Sequence, residues 1–150
     1  MQIIPSDLQS LNAWAALRKE LWPDTDLAEH TLEAEAILHN PQQAVAFLAY
    51  DAKAAAIAFA EVALRRDYVN GCTTSPVAFL EGIYVRPAYR KRGIARLLCK
   101  AVEDWARGLG CQELASDVEI HNEISQSMHV AVGFEETERV VYYRKPLRSR

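Results

Sequence analysis

The chain reads as an α+β protein in which helices flank a central sheet, and three observations lead there. Phe79 to Leu98 runs as an apolar strand, a turn at Val85-Arg86-Pro87, a basic glycine loop and an amphipathic helix. Strand and helix patterns follow one another along the whole chain with no internal repeat and no linker. Finally, 150 residues with 50% hydrophobic and 25% charged side chains have the size and balance of one domain with a real core, so residues 1–150 are expected to form a single domain.

Each element has its own signal. Gln2 to Ile4 starts a strand. Ser6-Asp7-Leu8-Gln9 is a capping-box pattern opening a helix with Leu8, Leu11, Trp14, Leu17 and Leu21 on one side, stopped by Pro23. A second helix spans about Leu27 to His39, with Leu32, Ala36 and Leu38 apolar, an acidic exposed face, and Asn40-Pro41 as its stop. Ala44 to Tyr50 and Ala54 to Leu64 read as strands around Asp51-Ala52-Lys53, although the alanines of the second leave helix as a competing assignment.

Asn70-Gly71 and Ser75-Pro76 mark Arg66 to Pro76 as a loop, after which Val77 to Val85 is apolar enough for a central strand that Gly82 loosens. The next helix carries Ile94, Leu97, Leu98, Ala101, Val102 and Trp105 on one face and stops at Gly108 and Gly110. Leu114 to Ser116 is a short strand, Asn122 to Val132 a helix closed by Gly133, and Val140 to Tyr143 a final β-branched and aromatic strand before Pro146 and an Arg148-Ser149-Arg150 tail.

Composition narrows the function classes. The formal charge of −3 disfavours a nucleic-acid surface and suits a cationic partner, even though Arg90 to Arg92 is locally basic. No apolar stretch approaches the roughly 20 residues of a membrane span, and Met1 to Leu21 lacks the parts of a secretory leader, so no membrane partner and a cytoplasmic location are expected. Cys72, Cys99 and Cys111 are widely spaced without a C-x-x-C pair, which points to reduced thiols. His30, His39, His121 and His129 lack metal-ligand spacing; each reads as a surface or partly buried histidine, and no metal is expected.

The glycine loop carries the chemistry. A helix N-terminus has amides without intrahelical partners and the positive end of the macrodipole, so Gly93 and small Ala95 let phosphate oxygens approach the backbone while Lys91, Arg92 and Arg96 add positive charge. The loop has neither the G-K-[ST] ending of a nucleoside-triphosphate site nor the G-x-G-x-x-G of a dinucleotide site. With Arg90, Gly93 and Ala95 in its defining places, it resembles the Q/R-x-x-G-x-G/A signature of the GCN5-related N-acetyltransferases. That resemblance implies their fold, a mixed central sheet flanked by helices, and acetyl-coenzyme A as cosubstrate. It also implies that the pantetheine arm pairs with Ile83, Tyr84 and Val85, that the Val85 amide holds the thioester oxygen, that Ile94 belongs to the phosphate loop, and that Asn122 touches the cofactor. Read by itself, Asn122 is a helix N-cap, and both roles can coexist.

More narrowly, Leu21-Trp22-Pro23, Asp67-Tyr68-Val69-Asn70-Gly71-Cys72, Phe79-Leu80-Glu81-Gly82-Ile83, Ala115-Ser116-Asp117 and Gly133 to Glu138 resemble the aminoglycoside 6'-N-acetyltransferases. This implies acetyl transfer to the 6'-amine of an aminoglycoside in a ternary complex, with Trp22, Tyr68, Glu81, Asp117 and Glu138 at acceptor positions. Without the resemblance, Trp22 reads as a core residue, Tyr68 as a loop anchor, and Asp117 and Glu138 as solvated charges. Glu81 is the candidate acceptor for the ammonium proton, directly or through water; simple attraction of the ammonium uses the same geometry. The family's tyrosine acid on the last helix is replaced by His129, leaving the general acid open between His129 and none. A homodimer in which Glu138 reaches the neighbouring site is also implied. Two other classes stay open: the same fold acting on a polyamine, peptide amine or other metabolite, and a noncatalytic acyl-coenzyme A sensor.

Overall fold

Alternating apolar residues in a half-buried strand go to opposite faces of a sheet, and that alternation builds two cores here. The computed structural model describes residues 1–149. In chain order the elements are β1 (Gln2–Pro5), α1 (Leu11–Leu21), α2 (Leu27–Leu38), β2 (Ala44–Tyr50), β3 (Ala56–Arg65), β4 (Val77–Val85), α3 (Ile94–Gly108), β5 (Leu114–Ser116) and α4 (Glu123–Ala131), with a short 3₁₀ turn at Pro87–Tyr89. The sheet order is β1-β2-β3-β4-β5, antiparallel except for the parallel β4–β5 pair. The fold is thus α+β with a mixed sheet.

Along β2, Phe47 and Ala49 join the core under α3, whereas Ala46 and Leu48 join the core under α1 and α2. Trp14, Leu17, Leu48 and Phe59 are fully buried in the second core, each such side chain contributing about 1.5–3 kcal/mol. Residues 56–62 of β3 are all buried, because the strand is central and covered on both faces. This settles the competing helix assignment: alanines there are small enough to sit under a helix on either side.

Several expectations shift by a turn. α1 begins at Leu11, not Ser6, because Asp7 and Ser10 bond to each other: each main-chain N–H donates to the other's side chain at 2.9 Å. Leu8 therefore lies before the helix and is exposed. On α2 the buried positions are His30 and Ala34, with Ile37 and Leu38 packed beside them, while Leu32 is exposed. β3 starts at Ala56, since Asp51 Oδ1 accepts from the Lys53 and Ala55 amides and holds a turn through Ala54 at φ 60°. On α3, Cys99 and Ala106 are buried with Ile94, Leu98 and Val102, and Leu97 is exposed.

The final strand does not form. Residues 134–149 carry no helix or strand, and Val140, Val141, Tyr142 and Tyr143 are exposed. β propensity alone cannot make a strand without a neighbouring edge to pair with. Of the expected tail, Arg150 lies outside the described residues.

Beneath α1 sits a buried polar network. Arg18 donates to Glu61, to Glu33 and, at 3.3 Å, to Nδ1 of His30; Trp14 Nε1 donates to Glu61 at 2.8 Å; and His30 Nε2 donates to the Trp22 carbonyl at 2.9 Å. His30 is thus no surface histidine, and accepting at Nδ1 while donating at Nε2 fixes it as the neutral ring.

Candidate functional site

The site starts from one extra residue. Glu61 of β3 pairs with Gly82 and the next residue, Val62, pairs with Leu80, so Glu81 is the surplus residue of a β-bulge. A bulge reverses which backbone groups face which neighbour. Before it, the Ala78 amide donates to Glu113 of the segment entering β5, and the Leu80 carbonyl accepts from Ser116 Oγ, so these residues face β5. After it, the Arg86 amide donates to Ile57 of β3, which by antiparallel alternation turns Tyr84 toward β3 and turns Ile83 and Val85 away.

β5 ends at Ser116, opposite Leu80, so β4 continues alone beyond the bulge. The Ile83 and Val85 main chains therefore border an open cleft, the arrangement in which an extended amide-bearing arm adds as a strand. The expectation for Tyr84 is corrected: its backbone is spent on Phe59, its hydroxyl lies 3.3 Å from Glu20, and its ring lies under Arg90, whose Nε donates to the Val85 carbonyl at 2.8 Å.

The cleft runs into the glycine loop. Gly93 is left-handed at φ 81° and Lys91 at φ 62°, alternating with ordinary residues, so that successive amides turn toward one concave surface ahead of α3. Only the backbone of Ile94 is offered, since its side chain is 2% exposed and belongs to the core. Ala95 keeps the helix start narrow. Arg92 lies over the Tyr89 ring at 5.5 Å, with Lys91 exposed beside it. Arg96 is exposed, and its guanidinium donates to the Ala131 carbonyl at 2.6 Å, tying α3 to the end of α4.

This anion-shaped loop supports a direct expectation. A Cβ on Gly93 would meet nothing within 4 Å, so side-chain charge can be added there without a clash. Gly93→Asp should weaken acetyl-coenzyme A binding about tenfold or more by setting a carboxylate against the diphosphate, while Gly93→Ala carries only the left-handed strain of roughly 1–2 kcal/mol. Calorimetric affinity checks it, and equal losses in both variants would trace the effect to strain.

Beside the cleft is a cavity of about 370 Å³ whose walls include Trp22, Glu81, Gly82, Ser116, Asp117 and His129. Asn122 also borders it and caps α4 by accepting the Ser125 amide at 3.1 Å, so its two roles are compatible. The Trp22 ring rests on Gly82, where an added Cβ would come within 2.6 Å of it. It also stacks on His30 and meets Phe59 edge-on, making it a rigid wall anchored in the core. A wider depression of about 500 Å³ lies beside β1 at the far edge of the sheet, away from every candidate residue.

Trp22, Glu81, Ile83, Asp117 and Asn122 are thus brought together; Tyr68 and Glu138 are not. Tyr68 is exposed on the loop after β3, and Glu138 lies in the irregular C-terminal segment, which meets that loop where Thr137 packs on Gly71. Two further features had no sequence signal. Arg65 donates to both Glu81 oxygens at 3.0 and 3.1 Å while its guanidinium sits over the Phe79 ring. Ser116 and His129 touch at 2.8 Å inside the cavity. Cys99 lies buried in α3, and burial pushes its thiol up to about 11, which leaves it unreactive near neutrality. Among the described residues no three His, Cys, Asp or Glu side chains gather as a metal site, and no helix is long and apolar enough to cross a membrane.

Comparison with known proteins agrees with this geometry. The acetyltransferase (GNAT) family profile matches residues 11–134. The aminoglycoside N(6')-acetyltransferase type 1 of Serratia marcescens is 52% identical, over 97% of this chain and 99% of its own, and that of Salmonella typhimurium is 48% identical over the same shares. The structure of AAC(6')-Iy in complex with the bisubstrate analogue CoA-S-monomethyl-acetylneamine superposes with a TM-score of 0.92 at 46% identity, covering 97% of this chain and 98% of that one. The apo 6'-N-acetyltransferase AAC(6')-IG from Acinetobacter haemolyticus gives 0.93 at 44% identity, covering 99% and 100%.

Proposed function

Because this chain belongs to the acetyltransferase (GNAT) family and, within it, to the aminoglycoside N(6')-acetyltransferases, we propose that it acetylates the 6'-amine of aminoglycoside antibiotics from acetyl-coenzyme A and so confers resistance. The observation that carries the reading is the bulge at Glu81. It opens β4 toward a cleft that leads from the glycine loop to a cavity holding three carboxylates, Glu81, Asp117 and Glu119, and an indole wall.

Bound acetyl-coenzyme A supplies an acetyl thioester whose carbonyl carbon is the electrophile, and the acceptor attacks it directly in a ternary complex. The loop amides of residues 93–96 and the side chains of Lys91 and Arg92 hold the diphosphate. Ile83 and Val85 offer main-chain groups to the pantetheine amides, and the Val85 N–H stabilises the oxygen on which charge develops. Trp22 supports a sugar face, and Asp117 and Glu81 attract ammonium groups. Tyr68, exposed on the loop after β3, meets the acceptor from outside the cavity. Glu81 takes the proton that turns the 6'-ammonium into a nucleophile, directly or through water, because an alkyl amine with a pKa near roughly 10 is almost wholly protonated at neutral pH.

We assign the protein to the cytoplasm as a homodimer without nucleic-acid or membrane partners. A second copy can complete the exposed Val140 to Tyr143 segment and bring Glu138 to the neighbouring cavity. The test is an acceptor screen by mass spectrometry. Amino sugars with a 6'-amine should gain one acetyl at that amine, and 6'-hydroxyl analogues none. Equal turnover of polyamines or peptide amines would overturn the substrate class, and coenzyme A binding without transfer to any amine would make the chain a sensor. Native mass spectra of the same samples should show the dimer; a monomer at micromolar concentration would remove the shared site.

A further inference from the structure

In the ligand-free protein the Glu81 carboxylate already holds a cation of the chain itself. One guanidinium nitrogen of Arg65, Nη2, donates to both carboxylate oxygens, at 3.0 and 3.1 Å. A single charged nitrogen astride two oxygens is also how an alkylammonium meets a carboxylate, so Arg65 fills the position an acceptor ammonium needs. The arginine ends β3 opposite Val77, and its side chain runs along β4 to the bulge, with Cζ 3.5 Å from the centroid of the Phe79 ring. Phe79 is buried with Val69 and Val77, which fixes that ring in place. Glu81 borders the cavity, whereas Arg65 is not among its walls, so the carboxylate is reached by the acceptor from one side and by the arginine from another. The pair is loose, its two side chains being 44% and 36% exposed.

From this geometry we propose that Arg65 is an internal competitor for the acceptor: it holds Glu81 in the ligand-free protein, yields it to the ammonium that reacts, and takes it back from the product. The inference rests on the acetyltransferase reading above, with Glu81 as the carboxylate that meets the 6'-ammonium. The exchange is nearly balanced, because an exposed ion pair adds little and one such pair replaces another. The released guanidinium is not stranded. It keeps the face of Phe79 on one side and water on the other. Product differs from substrate at this one nitrogen: acetylation turns the ammonium into a neutral amide with no charge to set against Arg65, so the guanidinium regains both oxygens. Arg65 therefore acts only on ligands that bring a cation to Glu81. A cationic sugar with a hydroxyl at that place, or the acetylated product, binds with the Arg65–Glu81 pair intact and meets no competition.

Calorimetry on the coenzyme A complex tests this, because no acetyl group is present to be transferred. Arg65→Met keeps an unbranched stem against Phe79 and should tighten binding of a 6'-amino aminoglycoside about fivefold, the upper range for an exposed pair, while the 6'-hydroxyl analogue and the 6'-N-acetyl product change by less than about twofold. Arg65→Gln repeats the measurement should the methionine variant not fold. Equal tightening of all three ligands would trace the effect to general loss of positive charge and overturn the proposal, as would unchanged or weaker binding of the amine. Arg66→Gln removes the neighbouring charge, which donates to Gln43 at 2.8 Å, and should leave all three affinities within about twofold. In a Glu81→Gln background, adding Arg65→Met should have no further effect, since the contact competed for is gone; a fivefold gain there would overturn the competition. If no aminoglycoside binds the wild type, the substrate reading falls and ethylammonium becomes the probe. Titrated against the carboxyl carbon resonance of Glu81, it should bind Arg65→Met more tightly than wild type, and equal affinities would overturn the competition by themselves.

Discussion

Glu61→Ala should cost about 3–5 kcal/mol of stability and lower the melting temperature on the order of 10 °C. Glu61 is 4% exposed and receives Arg18 and the Trp14 indole; Arg18 is equally buried. Removing the carboxylate leaves a guanidinium with its desolvation unrelieved on that side, although Glu33, half exposed, still holds the other end. The intact pair is not a large source of stability. Burial pushes the Glu61 carboxyl up against the opposing pull of Arg18, and a carboxyl raised in the folded state favours folding only when protonated. That contribution is present below its unfolded value and is lost as pH rises through the folded one. Arg18→Met combined with Glu61→Leu should therefore be at least about 1 kcal/mol more stable than Glu61→Ala, despite stranding the Trp14 N–H. Chemical denaturation of the three proteins decides it; a double variant less stable than the single would show that the ion pair itself holds the fold.

The network also explains a site wall. His30 fixes the Trp22 carbonyl, Arg18 and His30 flank the Trp22 ring, and that ring occupies the space a side chain on residue 82 would need. Sequence reading found Trp22 and Gly82 by resemblance but not their contact, because 60 residues of chain separate them and neither spacing nor propensity encodes it.

Periodic signals were legible where burial is one-sided. β2, β4 and β5 fall on their expected bounds, since alternating or continuous apolar runs between turn residues leave few other assignments. The start of α1 was misplaced because Asp7 and Ser10 satisfy each other in a turn that uses capping residue types. The last strand was misread for a different reason: β-branched residues at 140 and 141 and tyrosines at 142 and 143 record a propensity to pair, and the segment pairs with neither outer strand of the sheet, β1 or β5. Within the site, the loop was readable because a helix N-terminus with glycine is a local feature. The bulge, the parting of β4 from β5, and the Arg65–Glu81 and Ser116–His129 contacts are long-range and became visible only with the register in hand.

Glu81→Gln should lower kcat by roughly 10²-fold or more while leaving acetyl-coenzyme A affinity almost unmoved. Glu81 is the surplus residue of the bulge, one position before the cleft opens, and borders the cavity that also holds Asp117. Glutamine keeps that shape and can still receive Arg65, so a loss would report the charge itself. Arg65 holds the carboxylate in the ligand-free protein, and an incoming ammonium can replace a partly exposed guanidinium at little cost because such pairs are worth about 1 kcal/mol or less. If the carboxylate accepts the proton, the acidic limb of the kcat/KM profile should change together with kcat. If it only attracts the ammonium, that contact exists equally before and during reaction, so acceptor KM should rise while kcat and its pH dependence stay near wild type, and the role of proton acceptor would pass from Glu81 to solvent.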